Sequence, residues 1–119
     1  MQDFRKLQVW RRSHDMVLSM YQATQSFPSS ERFGLTSQLR RAVLSVPTNI
    51  AEGSRRAAQK EFARFLNIAQ GSLSETEYLV MVSRDLGYLP AETADKCLAE
   101  ATELLRMLSE LRKKVYADT

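Results

Sequence analysis

Apolar residues recur every three or four positions through four segments of this chain, and only short breaks separate the segments. That spacing is the period of an α-helix face; a half-buried strand would alternate by two. The first segment sets Leu7, Trp10, His14, Val17, Tyr21 and Thr24 on one seam, widened by Leu18, and ends at Phe27-Pro28-Ser29-Ser30. The second carries Leu35, Leu39, Ala42, Val43, Val46 and Ile50, with Thr36 as its expected N-cap after the Gly34-Leu35 turn. Pro47 falls inside that stripe, where it removes one donor and crowds the carbonyl of Val43, so a kink is expected and not a break. Gly53 is read as the stop. The third carries Phe62, Phe65, Leu66, Ala69, Leu73, Leu79 and Leu86, a helix roughly 40 Å long at about 1.5 Å per residue, closed by Gly87-Tyr88-Leu89-Pro90. The fourth carries Ala94, Leu98, Ala101, Leu105 and Leu108, extended by Leu104, Leu111 and Val115.

Helices are therefore expected over 7–26, 36–53, 59–87 and 91–116 of a single domain spanning 1–119. Short connectors make consecutive helices antiparallel neighbours, which predicts an all-α, antiparallel up-down-up-down four-helix bundle. The chain's 119 residues suffice for one core. Only Gly 4 and Pro 3 leave little material for strand-and-turn folds or linkers.

Few groups could do chemistry. His14 is the only histidine, and a packed, hydrogen-bonded role on the first seam outweighs a ligand role, since metal sites need clustered donors. No Glu-x-x-His occurs, so the di-iron site of some bundles is not expected. Cys97 is the single cysteine; it cannot form an internal disulfide and reads as a structural thiol. No Gly-rich phosphate loop and no nucleophile elbow is present. The expectation is a protein that is not an enzyme, with no metal, no cofactor and no small-molecule substrate. Met1-Gln2-Asp3-Phe4-Arg5-Lys6 has no apolar stretch of a signal peptide, and no run of 18 apolar residues occurs, which predicts a cytoplasmic protein without a membrane span.

Charge is more informative in its distribution than in its total of +3. In an up-down bundle residues 1–14, 52–64 and 109–119 share one end. They hold eleven basic residues, among them Arg11, Arg12, Arg55, Arg56, Lys60, Arg64 and Lys113, against Asp3, Glu52, Glu61, Glu110 and Asp118, a net +6. The remainder has six basic and nine acidic residues, a net −3. Arg112, Lys113 and Lys114 are ordinary at a helix C-terminus, but Arg56, Lys60 and Arg64 stand near the start of the third helix, where a cation costs roughly a few tenths of a kcal/mol. A phosphate backbone held by these side chains and the free N–H groups of that helix end is one reading; a solvated basic face is the other. Trp10 and Phe62 are the only aromatics near the patch and fit the core better, so binding would be directed to backbone and blind to sequence.

Arg41, Ser45, Thr48 and Glu52 lie on one face of the second helix, with Asn49 beside them. On one reading the stripe is internal: Arg41 and Glu52 bond the third helix, Glu75 or Glu77 serves an arginine, and Asn49 satisfies backbone freed by Pro47. On the other it is a subunit interface. Both make Arg41→Ala and Glu52→Ala destabilising. Tyr78, Val82 and Tyr88, off the main seam of the third helix, are candidates for a protein–protein contact.

The wording of the central segment carries a resemblance: Phe27-Pro28, Gly34-Leu35-Thr36-Ser37-Gln38-Leu39-Arg40-Arg41-Ala42, Ser45-Val46-Pro47-Thr48-Asn49-Ile50-Ala51-Glu52-Gly53 and Gly71-Ser72-Leu73-Ser74-Glu75-Thr76-Glu77, with Phe4-Arg5-Lys6-Leu7-Gln8-Val9-Trp10 at the front. From Phe4 to Leu111 the chain resembles the bacterial four-helix bundle proteins encoded in intervening sequences of large-subunit ribosomal RNA genes. That family is itself similar to the accessory variability determinant protein of diversity-generating retroelements. The resemblance implies a bundle that assembles into a ring, a homopentamer, without catalysis. The retroelement relatives bind a reverse transcriptase and nucleic acid through basic surface. Where such relatives often cap the third helix with Ser or Thr, this chain has Ala57-Ala58, so that end is expected to fray. The combined expectation is a ring-forming accessory module that binds nucleic acid or a ribonucleoprotein partner through its basic end, with a protein–protein adaptor as the alternative.

Overall fold

The structure is a computed structural model and describes residues 3–117. Four helices follow one another: α1 (Gln8–Thr24), α2 (Leu35–Ser54), α3 (Gln59–Asp85) and α4 (Ala91–Ala117), with single 3₁₀ turns at Phe4–Lys6 and Ser29–Glu31. Side-chain contacts fix their directions. Arg40 of α2 donates to Tyr21 and Thr24 at the end of α1, while Arg55 lies over Phe4 at its start. Ser45 bonds Ser72 across α2 and α3. Arg84 pairs with Asp95, and Arg112 donates to Gln70, across α3 and α4. Cys97 meets Met20 across α4 and α1. Each neighbouring pair is antiparallel, so the bundle alternates up and down and measures 46 × 24 × 20 Å.

The core is aliphatic. Leu39, Val43, Val46 and Ile50 of α2 interlock with Leu66, Ala69, Leu73 and Val80 of α3 and with Ala101, Leu104 and Leu108 of α4, all essentially inaccessible to water. Burying each valine, leucine or isoleucine among them stabilises by about 1.5–3 kcal/mol. The buried hydroxyls of Ser13, Thr24, Ser54, Thr76 and Ser83 each donate to a carbonyl three or four residues earlier in their own helix. That satisfies their protons within their own helices, and Thr24 also accepts from Arg40 of α2.

Several expected details are corrected. The buried face of α1 is Val9, Ser13, Met16, Val17, Met20 and Thr24; Trp10 and His14 are only half-buried, and Leu18 and Tyr21 are exposed. His14 stacks flat on Trp10 at 5.2 Å and has no hydrogen bond among the described residues. Leu86 is likewise exposed, and in α4 Cys97 takes a core position that the stripe assigned to Leu98. Thr36 does not cap α2. The helix starts one residue earlier, and the Leu35 N–H donates to Glu31 Oε1 at 3.2 Å, placing a carboxylate at the positive end of the helix. The other oxygen of Glu31 accepts from the Tyr88 hydroxyl, tying the loop after α1 to the loop after α3. Tyr88 is therefore engaged, also packing on Phe27, and Tyr78 is the exposed member of the three off-seam residues.

Gly53 is not a stop. α2 continues through Ser54, and the positive-φ glycine of the described chain is Gly87, at φ 79° in the turn after α3. A Cβ on Gly53 would stand 2.6 Å from Phe65 Cβ, so this glycine lets α2 and α3 approach. Pro47 is buried inside an unbroken α2. Asn49 does not reach the Val43 carbonyl; its amide donates to the carbonyl and hydroxyl of Ser45.

Candidate nucleic-acid interface

The three basic segments meet at one end of the bundle. The guanidinium of Arg55, at the C-terminus of α2, sits 5.2 Å from the Phe4 ring centre, and Arg5 lies 5.6 Å from the same ring. Phe4 packs edge-on against Trp10 at 4.9 Å, and Arg11 lies over Trp10 at 5.3 Å. Arg56, just after α2, and Arg64, in the second turn of α3, lie 4.9 and 4.8 Å from the centre of the Phe65 ring. The bond from Arg112 Nε to Gln70 Oε1, 2.8 Å, fixes the last turns of α4 beside the first half of α3.

Aromatic rings are thus built into the patch, and they are not the expected pair of Trp10 and Phe62. Phe62 is core, whereas Phe4, Trp10 and Phe65 carry arginines on their faces. Phe65 is itself buried and Phe4 and Trp10 half-buried, so the rings orient guanidinium groups and are poorly placed to stack on bases.

Counter-charges divide the candidates. Arg12 leaves the patch: its Nε and Nη2 donate to the two oxygens of Glu100 on α4, at 2.9 and 2.5 Å. Arg64 donates twice to Glu61, which holds the Glu61 carboxyl below the usual carboxylate range. Arg56 makes a looser 3.4 Å contact to Glu52. Arg5 bonds Asp3 and lowers its carboxyl in the same way. Arg11, Arg55, Lys60 and Lys113 are exposed and in no ion pair among the described residues. Asp118, counted against this end in the sequence, lies outside the described residues. Within them the same segments hold eleven cations against Asp3, Glu52, Glu61 and Glu110.

The electrostatic cost read from sequence is smaller than expected. Arg55 caps the C-terminus of α2 and Arg56 follows it, their N–H groups donating to Glu52 and Gly53. A cation is favoured there. Only Lys60 and Arg64 stand on the first turns of α3. Ala58 occupies the N-cap of α3 without a side-chain bond; the Glu61 N–H turns back on the Ala58 carbonyl, which leaves the N–H groups of Gln59 and Lys60 with no capping oxygen among the described residues.

The polar stripe of α2 is not the network expected. Ser45 bonds Ser72, and Thr48 donates to the Leu44 carbonyl. Glu52 turns to Arg56 instead of α3. Arg41 is exposed, lining a surface hollow with Ser45, Ser72 and Glu75; neither it nor Glu75 nor Glu77 is in an ion pair among the described residues. Among the described residues no group of three His, Cys, Asp or Glu could hold a metal ion. No helix is long and apolar enough to cross a membrane.

The architecture is shared. A crystal structure of a protein of unknown function from the S23 ribosomal protein family of Bacteroides thetaiotaomicron superposes with a TM-score of 0.79 at 23% identity, covering 88% of this chain and 98% of that one. No curated protein matches the chain. The profile of the 23S rRNA-intervening sequence proteins matches residues 5–110, nearly the whole bundle. By that match the chain belongs to the 23S rRNA-intervening sequence protein family.

Proposed function

We propose that this chain is a non-enzymatic accessory module that assembles as a ring in the cytoplasm and binds RNA, alone or within a ribonucleoprotein, through the basic end of its bundle. The observation that carries the reading is the convergence of Arg11, Arg55, Arg56, Lys60 and Arg64 from two sequence-distant segments onto a surface where rings hold the guanidinium groups. Guanidinium and ammonium groups so placed suit phosphate oxygens. The uncapped first turn of α3 adds N–H donors of the kind that bind phosphate. The patch offers no exposed stacking platform, so recognition is of backbone and shape. In a ring the patch recurs in every subunit, and weak contacts gain by avidity.

Electrophoretic mobility of duplex and structured RNA at low salt tests it. Wild type should retard both, and Arg55→Glu combined with Lys60→Glu should remove the shift while leaving the helical circular dichroism intact. Retardation unaffected by that double reversal overturns the reading. A protein partner that survives nuclease treatment, with no RNA shift, would favour the adaptor alternative.

A further inference from the structure

The bundle leaves one aromatic side chain almost wholly in solvent. Phe33, in the loop between α1 and α2, is 88% exposed, and its ring is covered only by the guanidinium of Arg32 at 5.3 Å. It stands on the α2–α3 side, lining the hollow that contains Arg41 and Glu75. On the opposite side, where α1 and α4 approach each other less closely than the other neighbouring helices do, a groove of about 930 Å³ runs over Met16, Met20 and Cys97, which form its nearly closed floor. Asp15, Glu92 and Lys96 line it too, none in an ion pair among the described residues, so two free carboxylates stand there against one free ammonium.

We infer that Phe33 of one copy seats in the α1–α4 groove of a second copy. The two features fit in chemistry: an aromatic knob flanked by Arg32, in no ion pair among the described residues, meets a slot floored by methionines whose free rim charges are net acidic, and methionine adapts readily to a ring. They fit in height, since the groove runs from Arg12 to Ala23 and from Glu92 to Glu103, the half of the bundle nearest the loop that bears Phe33. A copy displaced sideways with its axis parallel brings knob to slot. Because the two surfaces differ, the contact is heterologous and repeats from copy to copy until it closes as a ring or grows as a filament. One phenylalanine buries about 150–250 Å², well short of the roughly 800 Å² per partner of a stable interface. Exposed Leu44 and Tyr78 on α2 and α3, and Leu18 on α1, supply further apolar area beside the two features. The inference rests on the assembly part of the proposed function and not on its RNA part.

Light scattering and sedimentation of the full chain, free of nucleic acid, decide it. Phe33→Ala should weaken assembly roughly thirtyfold, the loss typical of an interface anchor, with helicity unchanged because the ring supports nothing in its own chain. Ala99→Trp, which fills the groove from α4, should do the same. Mixed together, the two variants should form a dimer and nothing larger, since one keeps an intact groove and the other an intact knob. A monomeric wild type, a Phe33→Ala variant that assembles as wild type does, or variants that stay monomeric when mixed would each overturn it. Loss of RNA binding with assembly intact would count against the proposed function and leave this contact standing.

Discussion

Arg12 on α1 holds Glu100 on α4 by a two-pronged ion pair, the guanidinium addressing both carboxylate oxygens, and Nη1 also reaches Met107 Sδ at 3.4 Å. Their side chains keep 30% and 32% of their exposure, and the pair bridges the two helices that pack least closely. It therefore acts as a tie between α1 and α4 and not as part of the basic pole.

Arg12→Ala should cost about 1 kcal/mol, at the upper end for a partly exposed pair because the geometry is bidentate. Thermal unfolding should fall by about 4 °C. Arg12→Lys should recover only part of this, since an ammonium cannot address both oxygens in the same fork. RNA affinity should stay within about twofold of wild type; a loss matching that of Lys60→Ala would place Arg12 back in the interface.

Two glycines of similar helical setting should respond oppositely. Gly53→Ala forces its new methyl against Phe65 Cβ, which is held by backbone and cannot swing away. The α2–α3 contact must open, at about 1–3 kcal/mol. Gly71 lies mid-helix in α3 with open space for 4 Å around the place a Cβ would take, so Gly71→Ala should stabilise by about 0.5–1 kcal/mol through helix propensity. Chemical denaturation of the two variants checks both signs; a stable Gly53→Ala would mean that the close approach is not needed.

The bundle was legible because four amphipathic stripes and short breaks leave few alternatives, and the basic pole followed from antiparallel order alone. What could not be read was rotation about each helix axis. On α1, Trp10 and His14 occupy seam-like spacing yet sit at the edge, stacked on each other, while Ser13 and Met16 take the interior. A polar serine that bonds its own helix costs little to bury, so apolar spacing alone misplaced the face. The same blindness assigned Gly53 to a stop when its role is steric, and on the internal one of two readings gave Arg41 a carboxylate partner on α3 that the exposed side chain does not have among the described residues. Arg41→Ala should accordingly change stability by less than about 0.5 kcal/mol. Glu31 as the cap of α2 was missed because it lies four residues before the N–H it serves, inside a separate turn.

Cys97 gives a pH test of the α1–α4 contact. Burial pushes its thiol from the ordinary 9.0 up to about 11, with Glu100 adding a smaller push. A raised pKa means that the folded state retains the proton longer, so the stabilisation is complete below pH 9 and is lost as pH climbs through 9 toward 11. Unfolding midpoints should decline over that window, and Cys97→Ala should flatten the decline while lowering stability at neutral pH by leaving a small cavity beside Met20. At neutral pH alkylation of the native thiol should be slow and become fast in denaturant. Rapid modification of the native protein would show that the groove is more open than the packing indicates.

Salt dependence separates a defined pole from a diffuse basic field. Each cation that replaces a counterion on the polyanion adds about 0.7–0.9 to the slope of log affinity against log salt. Lys60 and Arg55, exposed and in no ion pair among the described residues, should each lower the slope by nearly one such step when changed to alanine. Arg64 is already shared with Glu61, so Arg64→Ala should remove less, and Glu61→Gln should free the guanidinium, raising affinity and steepening the slope. Arg41 lies in the half of α2 away from the basic pole and serves as the internal control, with a slope unchanged by alanine. The ordering Lys60 and Arg55 above Arg64 above Arg41 follows from two facts: at the pole Arg64 already shares a carboxylate while Lys60 and Arg55 do not, and Arg41 lies away from the pole. Equal slope changes at all four positions would mean that net charge alone draws the RNA, and that the convergence of Arg55, Lys60 and Arg64 at one end has no part in binding.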